Sequence, residues 1–175
     1  KKTFIKFNSE WLGIINFADI IKISSKYSLS RMIERDDFAK RISNGWHIGI
    51  HELLYPLAQG YDSVVINPDI EIGGTDQLFN LLVGRNLMRY YGLIPQCIMT
   101  VPLLEGIDAR EINGKIVGNK MSKSLNNHIS LEESASSQFG KLMSICDPLM
   151  WRYYDLLSLK SNKEINDLKK CHPKK

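Results

Sequence analysis

Helical spacing of apolar residues governs both ends of the chain, and a shorter α/β rhythm occupies its middle. Residues 1–7 read as a strand. Asn8 and Ser9 can cap a helix whose apolar positions Leu12, Ile15, Ile20 and Ile23 recur at helical spacing, and 27–33 and 37–42 read as two shorter helices. The pattern is helical again over 51–62, where Pro56 predicts a kink because its ring removes a donor and crowds the preceding turn. Residues 69–72 read as a strand running into Gly73-Gly74, after which Thr75 caps a helix carrying Leu78, Leu81, Leu82, Leu87 and Met88. Residues 96–104 are almost continuously apolar, as in a parallel strand covered on both faces. Strand, glycine turn, helix and strand make a βαβ unit.

Residues 109–117 fold back on Asn113-Gly114, a pair suited to a two-residue hairpin because both positions accept positive φ. Ser130 with Glu133 matches a capping box, Asp147-Pro148 starts a helix, and Ser161 with Glu164 matches a second box, so the last third is predicted to be all helix. The expected fold class is α/β followed by an α-helical region. The pattern changes near 124–130, which divides the chain into 1–124 and 125–175.

Three polar groupings interrupt these patterns. Tyr55, Gln59 and Asp62 are spaced by four and three, so they share one face of an otherwise apolar helix. Such residues usually satisfy nearby backbone, but together they can also hold the polar ends of an amino acid, with a carboxylate accepting a phenol hydroxyl. Gly73 and Gly74 remove side chains where a strand ends and a helix N-terminus begins, and Asp76 can accept from a ribose diol or simply favour the helix dipole. Lys120 and Lys123 sit in the loop Gly118-Asn119-Lys120-Met121-Ser122-Lys123-Ser124 and can both turn toward one polyphosphate. Alone, so short a motif more often marks a surface loop.

Composition adds little. The 175 residues, 43% hydrophobic, with 24% charged and a net charge of +4, suit one soluble globular core. Lysines at 160, 163, 169, 170, 174 and 175 give the C-terminal end a positive field attractive to phosphate backbones, or simply a solvated helix face. Cys97, Cys146 and Cys171 are far apart and lack metal-ligand spacing, so no metal site is expected and a reducing, cytoplasmic setting fits. No apolar run reaches the roughly 18 residues of a membrane span.

Taken in order, Tyr55-Pro56-Leu57-Ala58-Gln59-Gly60-Tyr61-Asp62, Gly73-Gly74-Thr75-Asp76-Gln77 with Asn80 and Gly84-Arg85, Val101-Pro102-Leu103-Leu104 and Lys120-Met121-Ser122-Lys123-Ser124 resemble the bacterial-type tyrosyl-tRNA synthetases. The resemblance spans nearly the whole chain. It implies the later part of a Rossmann-like class I catalytic domain and a helical region leading to an anticodon-binding module. By position, Tyr55 and Gln59 would hold the tyrosine amino group, Asp62 would accept the phenol hydroxyl and Gln77 would lie beside the carboxylate. Gly73, Gly74 and Asp76 would face the ribose, and Leu103 and Leu104 would meet the adenine. Lys120 and Lys123, with Met121 and Ser122 between them, would grip the phosphates. The implied partners are L-tyrosine, ATP with Mg2+, and tRNA(Tyr), in a homodimer contacting around 29–38.

His47-Ile48-Gly49-Ile50 resembles the other signature of this class, His-Ile-Gly-His, but it follows three predicted helices instead of the first strand. His47 and His51 are therefore read as structural. The expectation is that the true signature precedes Lys1, that the chain is a piece of a longer protein, and that it does not form tyrosyl-adenylate alone. The family's usual glycine after Lys-Ser-Leu is Asn126, which still tolerates the left-handed conformation. Alternative readings are a tryptophanyl-tRNA synthetase or a non-catalytic RNA-binding module.

Overall fold

The computed structural model describes residues 3–172. It separates into two compact units, Lys1–Val101 and Pro102–Lys175. Lys1 and Lys2, heading the expected strand, and Lys174 and Lys175, ending the basic run, lie outside the described residues. The hairpin and the lysine loop fall in the same unit as the C-terminal helices, although the sequence pattern changes only near 124.

Residues 3–7 are not a strand, because no ladder partner pairs with them among the described residues. The single helix expected through Ile23 is two: α1 (Ser9–Leu12) and α2 (Phe17–Ser24). The break has a local cause. Asn16 accepts from the Asp19 N–H at 3.1 Å while Asp19 accepts from the Asn16 N–H at 3.3 Å, and this capping box starts a fresh helix. Helices α3 (Leu29–Ile33) and α4 (Asp36–Ser43) follow as expected. The acidic first turn and basic last turn of α4 complement its dipole.

Helix α5 (Ile50–Ile66) runs unbroken through the buried Pro56. Strand β1 (Ile70–Gly74), a 3-10 turn (Thr75–Gln77), α6 (Leu78–Tyr90) and β2 (Cys97–Val101) then form the βαβ unit, with β1 parallel to β2 and Gly73 opposite Thr100. Strand β2 is shorter than the apolar run because Pro102 cannot donate to a ladder.

Glycines set the approach of α5 to α6. A Cβ on Gly60 would come within 3.0 Å of the Gly84 nitrogen, and one on Gly84 within 2.4 Å of Ser63 Oγ. Phe38, Leu57, Val83 and Leu87 form the core around this crossing, joined by Ile23 and Met32. Each such side chain contributes about 1.5–3 kcal/mol on burial. The sheet departs from expectation on its other side: Ile70, Ile72, Met99 and Val101 are each about half exposed, so among the described residues only the helix-facing side is covered. On that covered side Glu71 accepts from Ser63 Oγ at 2.8 Å and from Gln96 Nε2 at 2.7 Å, which ties α5, β1 and the entry to β2 together.

The second unit opens with the hairpin of β3 (Arg110–Ile112) and β4 (Lys115–Val117), turning at Asn113 (φ 53°) and Gly114 (φ 76°) as expected. Helices α7 (Ala135–Ser144), α8 (Asp147–Leu157) and α9 (Asn162–Cys171) complete it. The start at Asp147-Pro148 and the Ser161/Glu164 capping box match the sequence reading. Ser130 with Glu133 does not start a helix: the Ser130 N–H donates to Glu133 at 3.1 Å, but Ser134 caps α7 four residues later. Residues 118–134 are loop and turn, so the last third is not wholly helical. Ala109, Leu149 and Tyr153 form the core, and the Tyr153 hydroxyl donates to the Glu105 carbonyl at 2.6 Å. Burial pushes the Tyr153 phenol up to about 12.

Candidate functional site

In the first unit, α5 carries Tyr55, Gln59 and Asp62 on successive turns, as their spacing requires. Tyr55 is 57% exposed, whereas Gln59 and Asp62 are half-buried. Asp62 Oδ1 accepts from Trp11 Nε1 at 2.7 Å, so an indole from α1 fixes the carboxylate that the sequence singled out. Gln59 Oε1 accepts from Asn80 Nδ2 at 2.8 Å, and Gln77 Oε1 accepts from the same nitrogen at 3.3 Å. Gln59 and Gln77, eighteen positions apart in sequence, thus meet at one buried amide.

The glycine element serves packing as well as access. A Cβ on Gly73 would approach Leu81 Cδ1 within 3.1 Å, so its absence lets α6 lie against the end of β1. The backbone then turns through Gly74 into the 3-10 turn holding Asp76 and Gln77. A cavity of about 590 Å³ opens beside this turn, and its lining includes Tyr55, Asp76, Gln77 and Asn80 together with Glu34, Arg35, Asp36 and Asp37. Its size is that of a small-molecule site. Gln59 and Asp62 do not line it.

At the start of α5, Arg41 pairs with both carboxylate oxygens of Glu52, at 2.5 and 3.0 Å, and also donates to the His47 carbonyl. Glu52 accepts further from the Gly49 N–H at 2.9 Å. The guanidinium and this backbone donor hold its carboxyl down at about 2. His47-Ile48-Gly49-Ile50 is therefore the approach to α5 and does not follow a strand.

In the second unit the loop carrying Lys120 and Lys123 is held by backbone. The Gly106 N–H donates to the Asn119 carbonyl at 2.9 Å, the Met121 N–H to the Leu104 carbonyl at 2.7 Å, and Glu105 bridges Lys120. Asn127, 3% exposed, accepts from the Ser122 N–H at 2.8 Å and donates to Asp108 Oδ1 at 3.0 Å and to the Lys120 carbonyl at 3.3 Å. Asn126 adopts φ 51°, the left-handed conformation anticipated for it. Lys120 and Lys123 are exposed, Met121 packs with Leu104 against the Ala109–Leu149–Tyr153 core, and Ser122 Oγ lies 2.8 Å from Ser124 Oγ. Leu103 is half-buried at the start of this unit.

The structure thus gathers Tyr55, Asp76 and Gln77 around one cavity, and Gln59 with Gln77 on one amide. It gathers Leu104 with Met121 in the other unit. Sequence reasoning assigned no role to Trp11, Asn80 or Asn127. Asn80 carried a signal, standing three residues after Gln77 at helical spacing, whereas the Trp11–Asp62 contact joins residues 51 positions apart and left none. Among the described residues no three His, Cys, Asp or Glu side chains are grouped to hold a metal ion, and no helix is long and apolar enough to cross a membrane.

A βαβ unit with a glycine turn, a polar helix face and a lysine loop are the elements of a class I synthetase catalytic domain, and the chain belongs to that family: the model for class I tRNA synthetases (W and Y) matches residues 1–175. Among its relatives, the tyrosine–tRNA ligase of Nitratidesulfovibrio vulgaris is 52% identical over 180 residues, covering 99% of this chain and 43% of that protein. The tyrosine–tRNA ligase of Legionella pneumophila strain Lens is 52% identical over 168 residues, covering 96% of this chain and 40% of that protein. The chain therefore spans about two fifths of the length of these relatives. The fold is shared with the tyrosyl-tRNA synthetase of Archaeoglobus fulgidus solved with L-tyrosine, at a TM-score of 0.69 and 18% identity over 95% of this chain and 57% of that one.

Proposed function

We propose that the chain supplies the amino-acid pocket and the phosphate loop of a tyrosine–tRNA ligase, which activates L-tyrosine with ATP and transfers it to tRNA(Tyr). The observation that carries this reading is Asp62, a carboxylate held in place by Trp11 on the α5 face beside Gln59. A carboxylate accepts from the phenol of tyrosine, and the ring of phenylalanine offers it nothing. The relatives at 52% identity are named as tyrosine–tRNA ligases, which supports the same choice.

In the proposed reaction Tyr55 and Gln59 hold the ammonium group, and Gln77 lies beside the carboxylate. Gly73, Gly74 and Asp76 face the ribose, while Leu103 and Leu104 meet the adenine. The tyrosine carboxylate oxygen attacks the α phosphorus in line, a new P–O bond forms, the α–β bridging P–O bond breaks, and pyrophosphate leaves. Lys120 and Lys123, with Met121 and Ser122 setting their spacing, stabilise the charge that develops on the leaving phosphates. A terminal ribose hydroxyl of the tRNA then attacks the acyl carbon and AMP departs. No side-chain nucleophile takes part, so the rate comes from positioning and charge. Mg2+ enters with ATP as the counterion of its phosphates. Residues 1–124 belong to the catalytic domain in this reading, and 125–175 lead toward the part that meets tRNA. The working form is a cytoplasmic homodimer paired around 29–38.

Amino-acid-dependent exchange of pyrophosphate into ATP, by a protein that carries this chain and spans the full length of its relatives, tests the proposal. Exchange with tyrosine but not tryptophan or phenylalanine is expected, falling about a hundredfold in Lys120→Ala or Lys123→Ala. Exchange supported by tryptophan instead, or indifferent to both lysines, overturns it.

A further inference from the structure

Asn80 is 5% exposed and stands in the first turn of α6. Its single NH2 group serves two glutamines from two other elements, Gln59 of α5 at 2.8 Å and Gln77 of the 3-10 turn at 3.3 Å, and in both cases the partner atom is the carbonyl oxygen. Its own Oδ1 is buried without a partner among the described residues, so the side chain is not there to satisfy its whole hydrogen-bonding capacity.

A carboxamide has a donor end and an acceptor end, and fixing one end aims the other. With its carbonyl bonded to Asn80, Gln77 keeps its NH2 group outside that bond, and Gln77 and Asn80 both line the cavity. Gln59 is held by the same atom, but its carbonyl oxygen keeps a second lone pair for another donor. We infer that Asn80 is a positioning residue that sets the polarity of both amides, so that Gln77, which lines the cavity, offers a donor to the carboxylate of the amino acid, while Gln59, outside the cavity lining, is held with its carbonyl oxygen toward α6. Turning Gln77 over would put a carbonyl oxygen against the carboxylate.

This role rests on the amino-acid reading above, and the test separates the two. L-Tyrosine and tyramine, the same molecule without its carboxylate, are titrated calorimetrically into the full chain and into Asn80→Asp and Asn80→Ala, with urea midpoints recorded for each. Asn80→Asp replaces the donor by an acceptor and draws the glutamine NH2 groups inward. Tyrosine affinity is expected to fall roughly tenfold or more relative to tyramine, the worth of one hydrogen bond to a charged group. Asn80→Ala shifts the ratio the same way by a smaller factor, and decides the matter where Asn80→Asp does not fold. Equal loss for the two ligands, or no loss for either, overturns the positioning role and leaves Asn80 as packing. Absence of tyrosine binding by the unsubstituted chain overturns the amino-acid reading and this role with it, and is seen before any substitution is made.

Discussion

Trp11 donates its indole N–H to Asp62 at 2.7 Å, joining the first helix of the chain to the polar face of α5. A hydrogen bond to a charged acceptor is worth about 1.5–3 kcal/mol, and without it the carboxylate is free to rotate. Trp11→Phe keeps an aromatic ring and removes the donor. In a protein that carries this chain and spans the full length of its relatives, it is expected to lower the selectivity for tyrosine over phenylalanine by roughly tenfold or more, read as the ratio of their exchange efficiencies. Unchanged selectivity would mean that Asp62 is aimed by something else.

Two carboxylates give the protein a defined acid limit. Glu52, held by Arg41, and Glu133, held by Lys141 and Ser137, both lie at about 2 against an ordinary value of 4.5. A depressed folded value means that their contribution is fully present above 4.5 and is lost as pH falls through about 2. Urea midpoints should therefore decline across that window, with part of the decline absent in Glu52→Gln. An identical pH profile for Glu52→Gln would rule Glu52 out as a source.

Gly84 lies where α6 meets Ser63 of α5, and a Cβ there would stand 2.4 Å from Ser63 Oγ. Ser63 Oγ is committed to Glu71, so yielding also disturbs the tie to β1. Gly84→Ala is expected to cost about 1–3 kcal/mol in chemical denaturation, as other overpacked interiors do. Gly84→Ala with Ser63→Gly should recover part of this.

Asn126 closes the lysine loop at φ 51°. Asn126→Gly should be nearly neutral, whereas Asn126→Val places a β-branched residue in the left-handed region and should cost about 1–2 kcal/mol. Equal midpoints for the two variants would show that the loop relaxes to another conformation.

Local features of the chain were legible wherever the physics is local. The Asn113-Gly114 hairpin, the Asp147-Pro148 helix start, the Ser161/Glu164 box and the left-handed Asn126 each follow from the backbone preferences of one or two residues. Where several local signals competed, the reading slipped. Asn16 with Asp19 ended one helix and began another inside an unbroken apolar pattern, and Ser134 outcompeted Ser130 as a cap.

The sequence by itself determined the βαβ unit, the hairpin and the residue types of the candidate site, because spacing of three and four along a helix and glycine at a strand end dictate which groups share a face. Only the tertiary structure decided that Trp11 meets Asp62, that the Asn80 NH2 group reaches both Gln59 and Gln77, and that Asn127 fastens the lysine loop. Such contacts join separate elements, and no periodicity records them: they exist because burial brings the elements together and buried polar groups must then find partners.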